Sequence, residues 1–126
     1  MVKNKGENMQ NVLYQYKAIV TSVYDGDTCT VDIDLGLHTW VRGEKIRLMR
    51  IDAPEVRGKS RAKGLRSRDY LRDLILDKEI IIGTFKDKRG KYGRYLGEIW
   101  LNMDGKDYVN VNDLLVKKKF AVYKKY

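Results

Sequence analysis

Asp25-Gly26-Asp27-Thr28-Cys29-Thr30-Val31-Asp32-Ile33-Asp34-Leu35 alternates polar and apolar side chains from Thr28 onward. A strand turns successive side chains to opposite faces. Cys29, Val31, Ile33 and Leu35 therefore share one face, and Thr28, Thr30, Asp32 and Asp34 share the other. Asp25-Gly26-Asp27 is a turn signal, and residues 14–24 ahead of it are rich in β-branched and aromatic side chains. The stretch reads as a hairpin whose second strand is half buried against a core.

Outward from this hairpin the same logic continues. A loop containing Gly36 and Gly43 leads to a third strand over residues 45–51. Pro54, the only proline, fixes a turn behind it. Residues 56–64 form a basic, glycine-containing loop. Residues 61–76 read as a helix, with Leu71, Leu74 and Ile75 on the face shared by Ser67. Ile80-Ile81-Ile82 opens a fourth strand, residues 87–93 a charged hairpin loop, and residues 95–103 a fifth strand closed by Asp104-Gly105. Asn110 caps a short second helix, with Asp113 three residues on and Val111, Leu114 and Leu115 as its apolar face. The polar residues 1–11 are expected to be a disordered arm before one domain, residues 12–126. The expected class is mainly β with helices (α+β): a five-stranded barrel of OB type plus two helices. Closing the sheet removes its exposed edges.

Composition narrows the function. A chain of 126 residues, 43% of them hydrophobic, makes one domain with one core. Its net charge of +9 attracts polyanions over a distance. The single cysteine, Cys29, rules out an internal disulfide and a cysteine-based metal cluster, and its place on the apolar face makes it a core residue. His38, the only histidine, cannot build a zinc site alone and reads as a surface imidazole. No run approaches the ~20 apolar residues of a membrane span, so no membrane partner is expected. Residues 1–11 lack the apolar centre of a signal peptide. The expectation is a monomer, cytoplasmic, or secreted if a leader has been removed.

Three segments concentrate charge beside residues that fix the backbone. They are Asp25-Gly26-Asp27-Thr28, then Arg47-Leu48-Met49-Arg50-Ile51-Asp52-Ala53-Pro54-Glu55, then Lys91-Tyr92-Gly93-Arg94. Each alone is a weak signal. Together they supply what phosphodiester hydrolysis requires. Attack by water adds a second negative charge to the diester, so cations must face the phosphate oxygens. Arg47 and Arg94 suit this, because a guanidinium stays charged and grips two oxygens at once. Asp27 and Asp52, at strand ends, can hold a divalent cation. Glu55 can take a proton from the attacking water or orient it. Oxygen ligands without His or Cys favour Ca²⁺, with Mg²⁺ second, over zinc or copper. Asp32 and Asp34 also admit a reading as metal ligands, but their alternation makes them the solvated face of a strand.

These segments, in this order and on this strand pattern, resemble the staphylococcal nuclease (thermonuclease) family. The resemblance spans residues 16–123, and Val111-Asn112-Asp113-Leu114-Leu115 with Phe120-Ala121 extends it. It implies an OB-type barrel and Ca²⁺-dependent cleavage of DNA and RNA that leaves 3′-phosphate ends. It implies Asp27, Asp52 and the backbone carbonyl of Ala53 as metal ligands, with Asp25 as a supporting residue. It places Arg47 and Arg94 at the scissile phosphate, Glu55 at the attacking water and Tyr92 beside the bound nucleotide. Three positions depart from the namesake. Ala53 stands in place of Thr, Lys119 in place of a Gly after the second helix, and the sequence stops at Tyr126 without the long C-terminal helix. The alternative is a nucleic-acid-binding module on the same fold without catalysis. Such a module would not need the five charged positions together.

Overall fold

The structure, a computed structural model, describes residues 14–86 and 94–125. The expected N-terminal arm, the charged hairpin loop at 87–93 and Tyr92 within it lie outside the described residues. Strands β1 (Gln15–Asp25), β2 (Thr28–Gly36) and β3 (Thr39–Leu48) form a meander. A short strand β4 (Ile51–Asp52) and a 3₁₀ turn (Gly58–Ser60) lead to helix α1 (Arg61–Ile75). Then come β5 (Glu79–Lys86), β6 (Tyr95–Asn102), β7 (Tyr108–Asn110), α2 (Val111–Lys117) and β8 (Val122–Tyr123).

The main sheet runs β3-β2-β1-β5-β6-β7, and β3 returns to pair with β6. That last pairing is parallel and closes β1, β2, β3, β6 and β5 into a five-stranded barrel. The OB-type barrel with two helices is thus the observed architecture. The alternation read from the second strand is reproduced: Cys29, Val31 and Ile33 are buried in the core with Ala18, Val20, Ile46, Ile80 and Ile82. Leu35, expected on that buried face, is 45% exposed. It lies where the strand runs past the end of the barrel.

Two strand boundaries differ from expectation for identifiable reasons. The third strand begins at Thr39, not residue 45, because Leu37 and His38 both take positive φ and make a tight two-residue turn. Residues 39–43 are therefore strand, with an irregularity at Arg42-Gly43 that Asp32 closes by accepting from Gly43 N at 2.9 Å and from Arg42 Nη1 at 3.1 Å. The same strand stops at Leu48 because Arg50 turns left-handed, at φ 70°. Ile51 and Asp52 then leave the barrel wall and pair with β8 instead.

Helix α1 buries Gly64, Ser67, Leu71 and Ile75, one face of a 3.6-residue period. Helix α2 is capped as expected: the Asn110 side chain accepts from Asp113 N at 2.9 Å. It ends in a Schellman pattern, with Phe120 N donating to Leu115 O and Lys119 N to Val116 O. Lys119 sits at φ 67°, the left-handed position where the namesake carries glycine. A side chain there costs about 1–2 kcal/mol, of which glycine returns part through its larger unfolded-state entropy. Lys119→Gly is expected to stabilise the domain by about 0.5–1 kcal/mol and to raise the thermal midpoint by a few degrees. An unchanged or lowered midpoint would show that Lys119 makes a compensating interaction.

Candidate active site

The turn between β1 and β2 carries Asp27, and the end of β3 carries Arg47 beside it. Thr28 pairs with Arg47 across the two strands, and Leu48 N donates to Asp27 O at 2.8 Å. Asp25 accepts from Asp27 N at 3.1 Å, a side-chain turn that presents the second carboxylate. Asp27 Oδ2 accepts from Ala53 N at 2.8 Å and faces Arg47 Nη2 at 3.3 Å. The same Nη2 lies 3.1 Å from Asp52 Oδ1. One guanidinium nitrogen is therefore shared by two carboxylates that are 25 residues apart in sequence. Arg47 Nη1 donates to the carbonyls of Leu48 and Ile51, at 2.8 and 3.0 Å, which holds the plane of the fork.

The electrostatics are uneven. Asp27 and Arg47 are buried, whereas the Asp52 side chain is 47% exposed. Burial pushes the Asp27 carboxyl up to about 6; Arg47 pulls against that shift, and the hydrogen bond and charge of Asp25 reinforce it. A carboxylate held in this way gains by acquiring a further positive charge. Asp52 supplies the solvent-facing side of the same cluster.

Glycines set the position of this cluster against α1. A Cβ on Gly26 would lie 2.7 Å from Ser67 Cβ and 2.8 Å from Ala53 Cβ. A Cβ on Gly64 would lie 2.1 Å from the carbonyl oxygen of Glu55. The Asp25–Thr28 turn and the loop carrying Glu55 thus both rest directly on the helix. Ser60 Oγ donates to Glu55 O at 3.0 Å and ties the loop to the helix start. The Glu55 side chain is exposed to solvent.

Arg94 immediately precedes β6 and is half-buried. Arg47 pairs with Leu96 across the parallel β3–β6 ladder. By strand alternation, a residue two before Leu96 falls on the face shared with Arg47. The structure therefore joins Asp27, Asp52, Arg47 and the Ala53 backbone by direct contacts. It brings Arg94 to the same strand pairing and leaves Glu55 on the adjoining loop. Ala53 enters through its N–H; its Cβ fills the space against Gly26.

A buried network behind the site was not foreseen. Glu98 is fully buried and takes a two-pronged grip from Arg50, at 2.6 and 2.9 Å. Arg50 also reaches Asp113 at 2.9 Å, and Tyr123 Oη donates to that same Asp113 oxygen. Asn110 Nδ2 donates to Glu98 at 3.0 Å, and Asn112 Nδ2 donates to the carbonyls of Met49 and Gly97. These contacts clamp the segment from Met49 to Asp52 against α2 and β8. The available signal was Glu98 itself, a lone acid within Leu96-Gly97-Glu98-Ile99-Trp100-Leu101, which calls for a buried partner.

Among the described residues no group of three or more His, Cys, Asp or Glu side chains converges as a metal site. A cation here would rest on Asp27 and Asp52, with backbone and water oxygens completing its shell. No helix among the described residues is long and apolar enough to cross a membrane.

Comparison with known proteins adds two findings. The family model described as staphylococcal nuclease homologue matches residues 45–126. That span contains Arg47, Asp52, Glu55 and Arg94, while Asp27 lies before it. An uncharacterized protein of Methanocaldococcus jannaschii is 29% identical over 127 residues, covering 84% of this chain and 58% of the relative. The chain thus spans a little over half the length of that relative.

Proposed function

Because the chain belongs to the staphylococcal nuclease homologue family, we propose that it is a Ca²⁺-dependent nuclease that cleaves DNA, RNA or both and leaves 3′-phosphate ends. Membership itself supports a nuclease or nucleic-acid-binding function. The observation that carries the catalytic reading is the sharing of Arg47 Nη2 by Asp27 and Asp52. A binding module has no need to desolvate one carboxylate, aim a second at the same point and span both with a guanidinium.

The donor set suits a hard cation: two carboxylates within reach of one nitrogen, without sulfur or imidazole. Bound by Asp27 and Asp52, calcium would supply positive charge to a non-bridging phosphate oxygen. The chain's own residues do the rest. Arg47 and Arg94 hold the phosphate and meet the charge that grows on it. Glu55 accepts a proton from water as the water oxygen bonds to phosphorus. The bond from phosphorus to O5′ breaks, and O5′ takes up a proton and leaves as a hydroxyl. The phosphate stays on the 3′ side. Phosphate contacts carry no sequence information, so cleavage at this centre has little intrinsic base preference.

Supercoiled plasmid and a labelled RNA incubated with Ca²⁺, with Mg²⁺ and with excess chelator test this reading. Cleavage is expected with Ca²⁺, weakly or not at all with Mg²⁺, and to cease in chelator. Undiminished cleavage in chelator would remove the metal from the proposal. Retention of nucleic acid on the protein with no cleavage under any condition would favour the binding module.

A further inference from the structure

At the end of the barrel where β1 begins and β5 finishes, a cavity of about 380 Å³ opens to solvent. Strand register fixes which side chains line it. Lys86 pairs with Tyr95, and Tyr95 pairs with the fully buried Ile46. Glu44 pairs with the fully buried Val31, and Tyr16 with the fully buried Ile82. Residues directly opposite on neighbouring strands share a face, so half-buried Glu44 and Tyr16 lie on the inner face, and Lys86 and Tyr95 continue that face at the mouth, where both are exposed. Tyr14 stands at the rim, exposed. Deeper in, the barrel interior is aliphatic: Ala18, Val20, Val31, Ile46, Ile80 and Ile82. A half-buried acid on the inner face, with a base at its mouth, breaks that pattern. Among the described residues, the side chains of Glu44 and Lys86 have no hydrogen-bond or ion-pair partner.

We propose that this mouth binds one unpaired nucleobase of a single-stranded nucleic acid and that guanine is preferred. The inference rests on the nucleic-acid reading above and adds a base subsite to it. Tyrosine rings present flat faces on which a base stacks. Lys86 offers a cation to the adjoining phosphate. Glu44 is the selective element, because a carboxylate only accepts hydrogen bonds. Guanine alone presents two adjacent donors on its pairing edge, N1–H and the N2 amino group, matched to two carboxylate oxygens. A cavity of this size falls within the range of about 300–1,000 Å³ typical of small-ligand sites. Its position also connects to the candidate active site. Tyr95 directly follows Arg94, and Glu44 precedes Arg47 by three residues on β3, a rise of about 10 Å. A strand whose phosphate rests between the two arginines can lay a nearby base in the mouth. A paired base cannot reach inside the barrel, so the subsite selects single strands.

The test is anisotropy of labelled thymidine oligonucleotides, one all-thymine and one with a single guanine, titrated with the full chain in excess chelator so that no cleavage occurs. The guanine oligonucleotide is expected to bind about tenfold tighter. Glu44→Gln leaves one acceptor and adds an opposing donor; it should abolish the preference, so that the two oligonucleotides bind alike. Tyr95→Ala should weaken both oligonucleotides by about fivefold or more. Arg94→Ala should weaken both equally and keep their ratio. If Tyr95→Ala fails to fold, Tyr95→Leu keeps the bulk and removes the aromatic face, and Glu44→Gln decides the question on its own. No preference in the parent protein, or a preference that survives Glu44→Gln, overturns the proposal. Plasmid cleavage with no guanine preference removes the mouth alone. A guanine preference without cleavage leaves the mouth standing and removes the nuclease reading.

Discussion

Replacing Gly64 by alanine is expected to slow cleavage by about 100-fold while lowering stability far less than that loss suggests. Alanine ordinarily improves a helix interior by about 1 kcal/mol. Here its Cβ would lie 2.1 Å from the Glu55 carbonyl oxygen and 2.4 Å from the carbonyl carbon. Both atoms are backbone, so no side chain can rotate away. The loop must lift by more than an ångström to reach ordinary contact. Overpacking of this kind costs about 1–3 kcal/mol, which the helix preference partly offsets. The larger consequence falls on Glu55. A misplacement of about 1 Å costs on the order of 10²-fold in rate when a group must meet its partner in a fixed geometry. Thermal unfolding and single-turnover cleavage measured on the same preparation separate the two effects. A folded Gly64→Ala protein with the parental rate would show that Glu55 does not act from the position the helix gives it.

That glycine also marks the limit of what the sequence made legible. The barrel could be read because its signals are local: the alternation from Thr28 to Leu35, the Asp-Gly-Asp turn and the helix face around Leu71 each act within a few residues. Asp27, Arg47, Asp52, Glu55 and Arg94 could be named because their chemistry follows from residue type and order. Contacts made across the fold were not legible. That Arg47 Nη2 lies between Asp27 and Asp52 depends on how the end of β3 meets the first hairpin. That Gly26 and Gly64 seat two loops on α1 depends on helix placement. Arg50 carried no sequence signal for a left-handed turn, because residues with a Cβ seldom adopt one. Its φ of 70° accompanies a guanidinium held by Glu98 and Asp113, a long-range arrangement that no window of sequence contains. The early start of β3 has a similar origin. Leu37 is 95% exposed and its turn has neither glycine nor asparagine at its centre, so the usual hairpin signature was missing.

Separate Arg94→Ala and Glu55→Gln variants are expected to lose turnover by different routes. Arg94→Ala removes a cation that meets charge developing on the phosphate. The loss should be on the order of 10²–10³ in rate, by analogy with other preorganised donors. Because such a group interacts more strongly with the transition state than with the substrate, kcat should fall more than KM rises. Glu55→Gln keeps the size and one acceptor oxygen but cannot take up a proton at neutral pH, so the loss is expected at 10²–10⁴ with substrate binding retained. Lys106→Ala, in the exposed turn after β6, is the control and should match the parent. Each protein must first be shown to melt cooperatively near the parental midpoint, since a domain of this size has only ~5–15 kcal/mol of stability. Arg94 lies at the β3–β6 closure, so a fall in its midpoint would be met by Arg94→Lys, which keeps the charge but loses the two-pronged grip. Lysine there should recover folding and only part of the rate. If folded Glu55→Gln and Arg94→Ala both cleave at the parental rate, the proton acceptor and the phosphate cation are other residues, and the cluster around Asp27 and Arg47 is a structural ion-pair network.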